Sequence, residues 1–133
     1  KLMIEGDKAI SEAFQRAVEE GHEKIVLFYG KSYHARSALR EMSPDVLLFA
    51  TFHPETGEWD ILSVNKEKDN PYQGRILMPL SWAGKRQKEL EEVSGFKGMF
   101  YCHKLRFLTI FRGNEKDCLK VCHEIIKIAE SEK

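Results

Sequence analysis

The residues best suited to ligand binding lie between Arg75 and Arg106, where basic, aromatic and imidazole side chains follow one another closely. Arg75 and Arg86 each carry a planar guanidinium that can hold a phosphate through paired hydrogen bonds. Between them, Trp82 offers a flat indole on which a base or a sugar can stack. His103 and Arg106 follow in a predicted hairpin and can shape a pocket. This arrangement indicates a site for a phosphate-bearing ligand, either a nucleotide or a nucleic acid.

Each of these residues also fits a purely structural role. A tryptophan in a loop commonly covers the edge of a core, and surface arginines are often solvated or paired with carboxylates such as Glu89. His103 has no matched carboxylate or nucleophile nearby in the sequence, which is typical of a hydrogen-bonded structural histidine. The sequence therefore leaves both interpretations open.

No part of the sequence assembles a recognisable catalytic or metal centre. The aspartates, whose carboxylates would serve divalent ions, belong to no Asp-His-His, Asp-x-Asp or His-x-His cluster. They are Asp7, Asp45, Asp60, Asp69 and Asp117. Cys118 and Cys122 lie one helical turn apart beside His123, but a tetrahedral zinc site needs further ligands and Cys122 falls in an apolar stripe. We therefore expect no metal site and no catalysis from this chain alone.

The composition is that of one globular domain in which any polyanion site is local. With 133 residues, of which 42% are hydrophobic, the chain can bury a core, so we expect a single domain over residues 1–133. Lys and Arg (21) balance Asp and Glu (21), which excludes a global basic field. The sequence shows no long apolar run and no signal segment, which favours a cytoplasmic protein without membrane contact. Three cysteines without a Cys-x-x-Cys pair indicate reduced thiols.

Apolar spacing and capping residues predict four helices. The first begins at Asp7 as its N-cap and buries one stripe of apolar side chains. That stripe comprises Ile10, Ala13, Phe14, Ala17 and Val18. The second helix covers 35–42, and the third covers 85–93 and is closed by a glycine. The fourth is capped by Asn114, with Asp117 at the capping-box position.

Strand-forming residues predict two antiparallel hairpins. Their strands lie at 46–52 and 59–64, and at 99–102 and 106–111. The apolar run 25–29 fits either a buried strand or a continuation of the first helix. The charged connection 65–81 is expected to be a long loop. Together these elements predict an α+β domain, with an antiparallel sheet of about four strands and flanking helices.

Several short motifs follow one another in an order and spacing that resemble a known family. The matching stretches are 75–86 (RILMPLSWAGKR), 89–90 (EL), 93–95 (VSG), 100–103 (FYCH) and 106–107 (RF). Upstream, Phe28 and Tyr29 are similar to an aromatic pair of that family, and Ala35-Arg36-Ser37 is similar to its Pro-Ala-Arg stretch, with His34 in place of the proline. In these motifs the chain resembles the C-terminal part of the melanocyte-proliferating-gene-one family, which are DHH-like, metal-dependent phosphoesterases.

The resemblance implies an accessory, substrate-gripping domain. In that family the metal and catalytic residues belong to an N-terminal half with His-Asn-Gly and Asp-His-His motifs, and this chain contains neither motif. The catalytic half is therefore expected to be absent, and a divalent cofactor such as manganese is expected only where that half is supplied. The ligand-binding residues that it suggests are Arg36, Arg75 and Arg86 for phosphate, Trp82 for stacking, and His103 with Arg106 for the pocket wall. At the tip of the last hairpin, Lys104 and Leu105 stand in place of the family's Asn-Gly, so we expect a different turn there.

Three functions remain open at this point. The first is a binding module for a nucleic acid or a nucleotide, as the accessory domain of a DHH-like phosphoesterase or as a stand-alone version of it. The second is part of a metal-dependent hydrolase or exonuclease whose catalytic half lies elsewhere, for example in a separate DHH-type chain. The third is a structural or protein-interaction domain without a ligand. A second copy of the chain is a further candidate partner.

Overall fold

The computed structural model of the chain describes residues 5–22, 24–29 and 35–132, which contain four α-helices and seven β-strands. The helices are α1 (Glu5–Glu19), α2 (Ala35–Met42), α3 (Gln87–Ser94) and α4 (Glu115–Ser131). The strands are β1 (Ile25–Tyr29), β2 (Leu48–His53), β3 (Glu58–Ser63), β4 (Asn65–Glu67), β5 (Asn70–Gly74), β6 (Met99–Cys102) and β7 (Leu108–Arg112). A short 3-10 helix at Leu80–Trp82 precedes α3. No helix within these described ranges is long and apolar enough to cross a membrane.

Five of the strands form one mixed sheet in the order β1-β2-β3-β7-β6. β1 runs parallel to β2, and the other neighbours are antiparallel, as in the two predicted hairpins. A parallel pair needs a crossover connection, which α2 provides between β1 and β2. The predicted α+β class is confirmed. The sheet has one strand more than the approximately four expected, because the apolar run Ile25–Tyr29 is a strand rather than an extension of α1.

Alternating side chains divide the core between the two faces of the sheet. Ile25 and Leu27 of β1 belong to a cluster that α3 and α4 complete, whereas Val26 and Phe28 belong to a second cluster completed by α1 and α2. On α4 the buried residues are Cys118, Val121, Cys122, Ile125 and Ile126. The first face is therefore covered by the C-terminal helices, and the second is covered by the N-terminal helices beside β1 and β2.

At the other end of the second face, the sheet is partly open to solvent. Tyr101 of β6 pairs with Ile110 of β7, and both side chains are partly exposed. The outer edge of β6, in contrast, is paired with the segment that leads into α3. The Gly84 amide donates to the Cys102 carbonyl (3.0 Å), and the Cys102 amide donates to the Lys85 carbonyl (2.9 Å). This end of the sheet therefore presents side chains to solvent, while its backbone edge is closed.

Two predicted segments differ from the structure. The connection 65–81, expected to be a loop, contains the β4–β5 hairpin and the 3-10 helix. Its strands are short and mostly polar, so they lack the alternation of apolar residues by which longer strands are recognised. Helix α1 begins at Glu5, so that Asp7 lies within its first turn instead of capping it. Val18, expected in the apolar stripe, is 44% exposed.

Three local predictions are confirmed. Helix α3 ends at Gly95, which has a left-handed φ of 80° that a glycine adopts without strain. The Asn114 side chain caps α4 by accepting a hydrogen bond from the Asp117 amide (2.7 Å). Cys102, Cys118 and Cys122 are all free and buried. Burial raises the pKa of Cys102 to about 11, so its thiol stays protonated at neutral pH.

Candidate functional site

Arg75 lies against the end of α2 and is partly buried. Its Nη1 donates to the carbonyl oxygens of Ser43 (2.6 Å) and Val46 (2.7 Å), and its Nη2 donates to the Arg40 carbonyl (3.1 Å). Carbonyls at the end of a helix have no intrahelical partner, and these bonds supply one. Desolvation by the surrounding protein lowers the pKa of the Arg75 guanidinium. A phosphate would therefore compete with the protein's own backbone for this side chain.

Trp82 is buried, with 1% of its surface exposed. It ends the 3-10 helix and belongs to the same core cluster as Met78, Leu90 and Met99. A ligand base cannot stack on an indole that the core already covers. The position of Trp82 therefore does not support the stacking role predicted for it and favours a packing role instead.

Arg106 forms the turn between β6 and β7. It has a φ of 65°, and its amide donates to the His103 carbonyl (2.9 Å), so the left-handed residue of this turn is Arg106 rather than Lys104 or Leu105. Its Nε donates to the Met78 carbonyl (2.6 Å), and its Nη2 donates to Glu132 Oε1 (3.2 Å). The turn is thus built differently from an Asn-Gly turn, as expected, and the Arg106 guanidinium fixes it to the preceding segment.

Four rings form a continuous series of contacts from β6 to the β4–β5 hairpin, which we call the aromatic strip. The ring centroids are separated by 6.2 Å from Tyr101 to His103, 4.7 Å from His103 to Phe107 and 5.1 Å from Phe107 to Tyr72. Two of the rings have an arginine over them, namely Tyr101 at one end of the strip and Phe107 next to the other end. The Cζ atoms are 5.2 Å from the Tyr101 centroid for Arg86 and 5.7 Å from the Phe107 centroid for Arg36. The structure therefore brings three predicted site residues, Arg36, Arg86 and His103, to one surface.

The two arginines of the aromatic strip are held in different ways. The Nε of Arg36 donates to the Ser63 carbonyl (2.9 Å), and desolvation lowers the pKa of its guanidinium. Arg86 is exposed, and it forms no ion pair with the residues that the structure describes. The described contact of its guanidinium is with the Tyr101 ring. Turning the Arg86 guanidinium toward a ligand therefore costs less free energy than turning that of Arg36.

His103 lies in the middle of the strip, and its ring orientation is set by the turn. Its Nδ1 accepts a hydrogen bond from the Leu105 amide (3.0 Å). Because Nδ1 is an acceptor, the neutral imidazole carries its proton on Nε2. The imidazole can therefore donate to a phosphate or a hydroxyl through Nε2 while its other nitrogen stays bound to the backbone.

A groove at the β6 end of the strip contains residues that sequence reasoning did not select. It has a volume of about 260 Å³ and is lined by Arg86, Gln87, Phe100, Tyr101 and Ile110. Phe100 and Tyr101 are adjacent in the sequence, and side chains of a regular strand would point to opposite faces. The FYCH motif marks this segment in the sequence. However, Phe100 and Tyr101 line the same groove only because the strand contains a bulge, which the sequence does not reveal.

Acidic and thiol side chains do not converge on a metal-binding point anywhere in residues 5–22, 24–29 or 35–132. His53, for example, is bonded directly to Asp60 (2.9 Å) and lies 3.7 Å from Glu55. The divalent metal that the resemblance implies for a full-length phosphoesterase therefore stays an expectation.

Comparisons with known proteins give one family and several relatives. The family model described as uncharacterised protein family UPF0160, MYG1_exonuc, matches residues 1–126. A human protein named MYG1 exonuclease is 30% identical over 115 residues, which cover 82% of this chain and 29% of that protein. The mouse MYG1 exonuclease is 35% identical over 77 residues, covering 57% of this chain and 19% of the relative. A MYG1 protein of Chlamydia pneumoniae is 34% identical over 62 residues, covering 47% of this chain and 21% of that protein.

The aligned region is short compared with the relatives themselves. It spans 29% of the human protein, which is the largest share among these three. No solved structure matches the chain.

Proposed function

The chain belongs to the uncharacterised protein family UPF0160, and on that premise we propose that it is a nucleic-acid-binding module of an exonuclease-type phosphoesterase. The human and mouse relatives are named exonucleases, and an enzyme of that kind must hold a nucleic-acid strand while it acts. In this proposal the chain serves as the accessory domain of a DHH-like enzyme. Any divalent metal, such as manganese, would be supplied with a catalytic half outside this chain.

The observation that carries the proposal is the aromatic strip with an arginine over two of its rings, Tyr101 and Phe107. Proteins that bind single-stranded nucleic acid combine rings, on which bases stack, with cations that follow the phosphates. The strip offers both in one continuous surface, with ring contacts from 4.7 to 6.2 Å. The chain has no net charge, so its affinity for a polyanion must come from a local surface of this kind.

The residues of the strip take separate roles in this proposal. Arg86, which is exposed and has only a ring as its described partner, binds a phosphate. His103 donates from Nε2 to a phosphate or a sugar hydroxyl. Tyr72, which is 54% exposed, provides a ring at the far end of the strip. Arg106 acts indirectly, because its bond to Met78 fixes the turn from which the His103 ring projects.

The test is the affinity for a short, fluorescein-labelled single-stranded oligonucleotide, measured by anisotropy at two salt concentrations. Arg86→Ala should weaken binding and lower the slope of log affinity against log salt by about 1, because one phosphate contact is lost. Lys127→Ala is the matched control, since Lys127 is an exposed cation on α4, on the other side of the sheet. It should leave both the affinity and the slope unchanged.

Two results would contradict the proposal. The first is the absence of measurable binding by the unmodified chain to single-stranded DNA and RNA. The second is equal loss of affinity in Arg86→Ala and Lys127→Ala, because that pattern indicates attraction without a defined site. The first result would favour a structural or protein-interaction domain.

A further inference from the structure

Strand β6 contains a bulge that brings two neighbouring aromatic side chains into one groove. Met99 pairs with Phe111, and Tyr101 pairs with Ile110, so Phe100 is an extra residue without a partner across the ladder. Met99 is 2% exposed and points into the core. Because the bulge interrupts the normal alternation, Phe100 and Tyr101 both line the groove beside α3.

The groove continues into a second depression of about 240 Å³ that shares Gln87 and Phe100 with it. Pockets that enclose a whole small-molecule ligand are commonly about 300–1,000 Å³. At about 260 Å³, the first groove is smaller than that range. Its size therefore fits one flat part of a larger ligand, such as a single base of an oligonucleotide.

An arginine lies over each of the two aromatic rings of the groove, and the two guanidinium groups differ in how firmly other residues hold them. Arg112 lies over the Phe100 ring, with its Cζ 4.1 Å from the centroid, and Glu58 holds it through contacts of 2.8 Å. This pair is neutral overall and fixes the Phe100 wall. Arg86 lies over Tyr101 at 5.2 Å without a carboxylate partner among the described residues. Its guanidinium can move outward and admit a planar group between itself and the ring.

We propose that this groove binds one unpaired base, stacked between the Tyr101 ring and the face of the Arg86 guanidinium, with Phe100 as its side wall. The N–H groups at the edge of the same guanidinium stay available for the neighbouring phosphate. The proposal rests on the nucleic-acid-binding function proposed above and makes it specific for single strands. In a duplex, both faces of a base are covered by its neighbours, and taking it out of the stack costs free energy. The amide of Gln87, which can both donate and accept, lets the groove take any base edge.

The experiment compares intact oligonucleotides with ones of the same length in which the internal bases are removed and every phosphate is kept. The unmodified chain should bind the abasic strand about 5- to 150-fold more weakly, as expected for the loss of a stacked base. A duplex of the same sequence should bind roughly tenfold or more weakly than the single strand. Both comparisons use the unmodified chain, so they do not depend on the folding of any variant.

Substitution of Tyr101 assigns the effect to the groove. Tyr101→Ala should bind the intact strand more weakly and so reduce the difference between intact and abasic strands, whereas Tyr101→Phe should keep the full difference because it keeps the ring. Thermal melts of both variants establish that they are folded at the temperature of the measurement. An undiminished difference in folded Tyr101→Ala would place the stacking elsewhere and overturn the proposal.

Different results would overturn the base-binding groove and the proposed nucleic-acid-binding function. Equal affinity of the unmodified chain for intact and abasic strands would overturn the base-binding groove, while phosphate-dependent binding would leave the nucleic-acid-binding function standing. No binding to any strand would overturn both.

Discussion

Arg75 and Arg86 stand at opposite ends of one sequence motif, and the protein uses them in opposite ways. Arg75 donates three hydrogen bonds to backbone carbonyls around the end of α2. Arg86 lies at the start of α3, where its described contact is the face of an aromatic ring. What separates the two is the presence of unsatisfied carbonyls within reach. The residue type alone therefore does not decide whether an arginine in this motif holds the fold or presents charge to a ligand.

Among substitutions of residues that hold the fold, Trp82→Ala should give the largest effect. Removing an indole that is 1% exposed should leave a cavity and lower the free energy of unfolding by about 3–5 kcal/mol. Urea denaturation measures the loss, and Trp82→Phe, which refills part of the space, should lose less. Oligonucleotide affinity at a temperature where the variant is folded should stay near that of the unmodified chain. A variant with normal stability and lost affinity would instead place Trp82 in the binding surface.

Arg75→Ala should give the next largest effect. It leaves the carbonyls of Arg40, Ser43 and Val46 without their donor, which should cost about 2–3 kcal/mol of unfolding free energy. Arg75→Lys keeps the charge but lacks the planar fork, so it should recover only part of that loss in the same urea titration. Destabilisation of Arg75→Ala but not of Arg86→Ala would show that only the first arginine stabilises the fold. Equal stability of the two variants would contradict this difference.

Gln87→Gly should give the smallest effect, and in the opposite direction. Gln87 has a φ of 48°, a left-handed value that costs an ordinary residue free energy and a glycine almost none. We expect a gain of about 0.5–1 kcal/mol in unfolding free energy, measured by urea denaturation. Gln87→Ala is the matched control, because it also removes the side-chain amide but keeps the strained backbone. A gain in Gln87→Ala of the same size would mean that the strain is not the cause.

The boundaries of several elements follow directly from local signals in the sequence. Helix α2 (Ala35–Met42) and strand β6 (Met99–Cys102) have the predicted bounds. Asn114 caps α4 as predicted, because a short polar side chain at that position satisfies a free amide whatever the rest of the fold does. Such signals act over a few residues and need no knowledge of tertiary structure.

Features that depend on distant partners could not be predicted in this way. The parallel pairing of β1 with β2 requires α2 to cross over the sheet, and no residue within β1 encodes that choice. The inward position of Trp82 depends on its neighbours in the core. For the candidate site, the sequence suggested Arg36, Arg86 and His103 among other residues, and the structure places these three along one strip. It missed Phe100 and Tyr101 as a pair, because a bulge rather than the strand period brings them together.

The pairing of β6 with the segment before α3 also bears on how the protein avoids unwanted strand addition at this edge of the sheet. An unpaired sheet edge is a template on which another chain can add a strand, and aggregation often begins there. Here the bonds between Cys102 and the backbone of Gly84 and Lys85 occupy that edge. The next residue along the chain is Arg86, so the segment that blocks strand addition also carries the proposed phosphate contact. Substitutions that loosen the segment of Gly84 and Lys85, and so let Arg86 move further, would also expose the edge of β6. This limits how far mutation can improve binding without promoting aggregation.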